Sequence, residues 1–91
     1  MEETIDGVTY RYLPGGATPK YHKQFRISEN CGELEVAIIK KRDKKWYCIL
    51  STVEGAQCVD WFHSTIGTNS PADVAKFVHV FLASVFGLEL R

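Results

Sequence analysis

Cys58, Asp60 and His63 bring a thiol, a carboxylate and an imidazole close together in the chain. A nucleophile activated by a neighbouring base is assembled from this set. The spacing works against that use. In a strand Cys58 and Asp60 share one face and His63 points to the other, and only a helix would juxtapose Asp60 and His63 as an i, i+3 pair. Nothing else in the sequence suggests an oxyanion element or a substrate cleft, so a small cysteine-dependent enzyme ranks last among the functional readings. His22, Cys31, Cys58 and His63 are acceptable metal ligands by type. They lack the short paired spacing, such as CxxC, of structural zinc sites, so no metal is expected. Gly15-Gly16 has no downstream Gly, Lys and Ser/Thr and reads as a turn, so no cofactor is expected either.

The run Lys40-Lys41-Arg42-Asp43-Lys44-Lys45 holds five of the eleven basic residues, with Trp46 and Tyr47 beside it. Cations around an aromatic can neutralise phosphates and stack on bases, as single-strand binders do. The simpler account is a solvated hairpin tip, since charged residues are routine at exposed turns. Lys40, Lys41, Arg42, Lys44, Lys45 and Tyr47 are therefore the candidate partner-binding set. Lys20, Lys23 and Arg26 extend it if their strand lies next to the hairpin.

Composition narrows the options. The chain has 91 residues, 45% hydrophobic and 24% charged, which suits one small globular domain and excludes a two-domain enzyme. Eleven basic residues balance eleven acidic ones, so the bulk field of the protein does not favour nucleic acid or acidic membrane, and only local patches could. Three cysteines without a CxxC fit free thiols in a reducing cytosol. The start Met-Glu-Glu-Thr is unlike a secretory signal, and the apolar run from Phe77 to Phe86 is too short to span a bilayer, which takes about 20 residues. A cytoplasmic protein without a membrane partner is expected.

Period-two alternation predicts strands over 7–13, 21–28, 34–40 and 45–52, separated by Pro14-Gly15-Gly16, by Glu29-Asn30-Cys31-Gly32 and by the basic run. Glu54-Gly55 reads as a further turn. The segment 57–63 is assigned as a fifth strand in competition with a short helix. Both central strands carry apolar residues on each face, which places them mid-sheet, one face under a helix and the other partly covered or used for binding. The acidic Glu2, Glu3 and Asp6 are expected to form a frayed, solvated start.

A helix is predicted over 71–86, with Ser70 as N-cap, Pro71 at the first position, Asp73 at the positive end of the dipole and Gly87 as the stop. At 100° per residue Val74, Val78, Phe81, Leu82 and Val85 form the core stripe, flanked by Ala75, Phe77 and Phe86. His79 falls at its edge, where an imidazole is expected to be half-buried with its polar tip in water. Trp46, Phe25, Val36, Ile38, Leu50, Val78, Phe81 and Val85 are the core candidates. Val80 and Ala83 interrupt the polar arc, and Leu88 and Leu90 follow Gly87; these four mark a face for a homodimer or a partner.

The fold class implied is α+β, an antiparallel meander of four or five strands with one C-terminal helix on one face. In size and layout this resembles several small phage-encoded inhibitors, anti-CRISPR proteins among them. The resemblance implies a non-enzymatic protein-binding module, an inhibitor or adaptor, with nucleic-acid binding through the basic hairpin as the alternative.

Overall fold

The computed structural model describes residues 1–14, 19–26, 33–54 and 57–87, with side chains for all of these except 26, 53, 54, 57–61 and 86. Six strands, β1 (Glu2–Ile5), β2 (Val8–Leu13), β3 (Lys20–Arg26), β4 (Glu33–Lys40), β5 (Trp46–Glu54) and β6 (Gln57–His63), form one antiparallel sheet in chain order, followed by α1 (Pro71–Phe86). The meander and the C-terminal helix agree with the alternation in the sequence, and the segment 57–63 is a strand. The turns expected around Gly15-Gly16, Glu29-Gly32 and Gly55, and residues Leu88 and Leu90, lie outside the described residues.

The strand count differs from expectation because the acidic start is a strand. Asp6 (φ 52°) and Gly7 (φ 79°) both adopt left-handed backbone, the requirement of a two-residue type I′ turn, and Asp-Gly is among the sequences that favour it. The turn sets Glu2 opposite Arg11, Glu3 opposite Tyr10 and Ile5 opposite Val8. Tyr12 N–H donates to the Met1 carbonyl at 2.8 Å, and the Tyr21 hydroxyl donates to Glu3 Oε2 at 2.9 Å. The start is thus tied down by strand pairing and by a side-chain bond from β3.

One sheet face builds the core: Ile5, Val8, Tyr10, Tyr21, Phe25, Leu34, Val36, Ile38, Cys48 and Leu50 are buried beneath Val74, Ala75, Val78 and Leu82 of α1. Each large aliphatic side chain removed from water here contributes about 1.5–3 kcal/mol. The Ser70 hydroxyl accepts from the Asp73 N–H at 3.3 Å, and Gly87 ends the helix at φ 63° with its N–H bonded to the Ala83 carbonyl, so both predicted caps form. The opposite face of β4 and β5, with Ala37, Ile39 and Ile49, is half-buried.

The helix is rolled relative to the stripe predicted for it. His79 is 6% exposed, with both ring nitrogens bonded, instead of half-buried with its tip in water. Drawing the imidazole inward shifts the buried stripe to Val74, Ala75, Val78, His79 and Leu82, a roll of roughly 50° at 100° per residue. Phe77 (61% exposed) and Val85 (58%) turn outward, so Val85 is not a core residue and Phe77 does not flank the core. Phe81 and Trp46 are only half-buried, packed on the core margin.

Candidate interaction surfaces

The basic hairpin is a three-residue turn. Lys41 and Lys45 bond through Lys41 N–H and the Lys45 carbonyl, Lys44 N–H donates to the Lys41 carbonyl, and Lys44 takes the left-handed conformation at φ 66°. Asp43 organises it: Oδ1 accepts from Lys45 N–H at 3.0 Å and Oδ2 accepts from the Tyr47 hydroxyl. That hydroxyl bond holds the Asp43 carboxyl below its ordinary range and pushes the Tyr47 phenol above its own. Lys41, Arg42, Lys44 and Lys45 are exposed, while Lys40 and Tyr47 are half-buried.

Both aromatics of the hairpin already carry a cation of their own. Trp46 and Tyr47 point to opposite sheet faces; Lys40 Nζ lies 6.0 Å from the Trp46 ring centroid and Lys41 Nζ 4.4 Å from that of Tyr47. Gly67 is pressed against the tip of the Tyr47 ring, since a Cβ there would come within 2.7 Å of it. Of the basic residues on β3, Lys20 pairs with Ile39 at the hairpin end and joins the patch. Lys23 pairs with Val36 and lies over Phe25, and Arg26 pairs with Glu33 at the far end.

A different surface follows from the roll of α1. Phe77, Phe81 and Val85 run along one flank at i, i+4 spacing, with Val80 (68% exposed) beside them and the Phe62 and Phe81 rings stacked 6.3 Å apart. Ala83 is exposed on the outer arc. Beside the first turns of α1 a cleft of about 330 Å³ opens between the helix and residues 62–68. Buried Cys48 and Val74 lie at its base, and Phe77 and Ile66 (81% exposed) stand at its rim. Two of its hydroxyls are engaged: Ser64 Oγ accepts from Cys48 N–H at 2.9 Å, and Thr68 Oγ1 donates to the Ser70 carbonyl at 2.7 Å. Burial pushes the Cys48 thiol up, away from the thiolate. Sequence periodicity missed this site. Ile66 sits in a polar connection with no period, and the helical periodicity places Phe77 at the core margin.

The other groups with chemical potential are dispersed or internal. Among the described residues no three His, Cys, Asp or Glu side chains are placed to hold a metal ion. His22 and His63 occupy one register row but are separated by β4 and β5, three strand spacings or about 14 Å. His22 instead pairs with Glu35 at 2.9 Å. Because β6 is a strand, Asp60 and His63 lack the helical spacing that would join them, and the side chains of Cys58 and Asp60 lie outside the described residues. One set that is brought together is Asp6–His79–Tyr10. His79 Nδ1 lies 3.3 Å from Asp6 Oδ2, and Nε2 lies 2.5 Å from the Tyr10 hydroxyl. Burial raises the Tyr10 phenol and lowers the His79 imidazole; Tyr10 and His79 are buried and only Asp6 reaches solvent, so the set ties the β1–β2 turn to α1.

No helix among the described residues is long and apolar enough to cross a membrane. Comparison of the chain with protein-family models, with curated proteins and with solved structures yields no match.

Proposed function

We propose that this chain is a non-enzymatic binding module that engages another protein, as an inhibitor or adaptor, through the apolar flank of α1. The observation that carries this reading is that Ile66, Phe77, Val80 and Val85 are each more than half exposed, with Ile66 and Phe77 lining a cleft in which the Ser64 and Thr68 hydroxyls are bonded within the fold. Exposed apolar side chains grouped on one surface often mark a binding site. Aromatic and aliphatic side chains of this kind supply the buried centre of protein interfaces. The resemblance in layout to small phage-encoded inhibitors points the same way. The basic hairpin fits nucleic acid less well, because Lys40 and Lys41 already cover the aromatic faces on which bases would stack.

The test is site-specific photo-crosslinking in the source cell, with benzoylphenylalanine at position 77 or 80 and, as controls, at Thr9 on the opposite sheet face and at Arg42 on the hairpin. A discrete protein adduct from 77 and 80 that the control positions do not give is expected. Adducts only from position 42, or stable binding of oligonucleotides at ~0.15 M salt, would assign function to the hairpin and overturn the proposal.

A further inference from the structure

Resting on that reading, we infer the chemistry of what enters the cleft: an apolar side chain of a protein partner with a lysine or arginine next to it. The walls are Phe62, Val74, Phe77 and Ile66, Ser64 and Thr68 are engaged within the fold and Thr65 is exposed, so the interior offers mainly apolar contact. Among the described residues Asp73 is the sole charged one of the lining, and it is exposed at the mouth. Among the described residues no cation forms an ion pair with its carboxylate.

Any partner that seats itself in the cleft partly dehydrates that carboxylate. A charge taken from water without a counter-charge is costly, so an occupant that arrives with its own cation is favoured over a neutral one and strongly over an anionic one. The sheet edges argue against a partner that docks by adding a strand. β1 has four residues, two of them Glu, and β6 carries an irregularity where Leu50 pairs with Phe62 but Ser51 pairs with Asp60, leaving residue 61 unpaired. Short charged edges and bulges are devices that prevent strand addition. The occupant therefore comes as a protruding side chain from a helix or loop.

The test uses three probes of one shape: 2-phenylethylammonium, 2-phenylethanol and phenylacetate, titrated into the whole ¹⁵N-labelled chain and followed by amide shifts. Shifts should centre on Thr65, Ile66, Val74 and Phe77. The ammonium should bind roughly two- to five-fold tighter than the alcohol, the range of an exposed ion pair, and phenylacetate weakest. Asp73→Asn should bring the ammonium to the level of the alcohol and leave the alcohol unchanged, while Phe77→Asp should weaken the alcohol. Equal binding of all three probes by the unaltered chain, or shifts centred away from the cleft, would overturn the inference. If position 77 still crosslinks to a protein in that case, the partner surface stands and only its charge preference falls. Charge-selective probe binding without a crosslink would instead remove the protein partner.

Discussion

Replacing Tyr10 by Phe removes one oxygen from a buried polar contact between the sheet and the helix. Tyr10 is fully buried and its hydroxyl lies 2.5 Å from His79 Nε2, while Asp6 faces the other ring nitrogen. With Asp6 accepting from Nδ1–H, Nε2 must accept the phenolic proton, so Tyr10→Phe deletes a hydrogen bond and strands a buried acceptor. The bond contributes about 0.5–1.5 kcal/mol net and a stranded acceptor costs about 1–3 kcal/mol, which together place the loss near 2 kcal/mol. For a domain of this size that lowers Tm by roughly 8–16 °C. His79→Leu strands the Tyr10 hydroxyl in the same way, whereas the double variant strands nothing. Urea denaturation of the two single variants and the double should therefore show the double losing at least ~1 kcal/mol less than the sum of the singles. Additivity within about 0.5 kcal/mol would refute the coupled contact. The same group sets an acid limit. Burial lowers the His79 pKa in the fold, against the opposing effect of Asp6, so the unfolded chain binds the proton first. The stability due to neutral His79 is present in full above the unfolded value of about 6.5 and falls as pH drops toward the lowered folded value, by at most about 1.4 kcal/mol per pH unit. His79→Leu should remove that component of the slope.

Phe77→Asp and Val80→Glu should each change stability by no more than about 0.5 kcal/mol, because both side chains are mostly in water; a loss above ~2 kcal/mol in urea denaturation would mean that the flank is packed. Sedimentation equilibrium at micromolar concentration should give a mass near 10.3 kDa if the flank is reserved for another protein; twice that mass, abolished by Val80→Glu, would assign it to a homodimer instead. Gly67→Ala, whose Cβ would meet both Lys45 Cβ and the tip of the Tyr47 ring, should force that ring off its seat and break its bond to Asp43, moving the raised Tyr47 phenol pKa back toward 10 in an NMR titration. An unchanged phenol titration would show that the ring does not depend on that contact.

The sequence by itself determined the elements whose signals are local. Alternation in Val8–Tyr12, Leu34–Ile39 and Trp46–Ser51 specifies strands, and Ser70, Pro71, Asp73 and Gly87 delimit the helix, because each signal is satisfied by backbone geometry a few residues away. The Asp6-Gly7 turn was equally local; charge on Glu2 and Glu3 obscured it by imitating a solvated terminus. Tertiary structure alone decided which arc of the helix is buried. A hydrophobic stripe specifies the inward direction only to within several tens of degrees. The final roll depends on His79 meeting Tyr10 and Asp6, some 70 residues away in sequence. That roll exposes Phe77 and Val85, and the cleft it borders draws Cys48, Phe62, Ile66 and Asp73 from separate segments whose proximity no periodicity encodes.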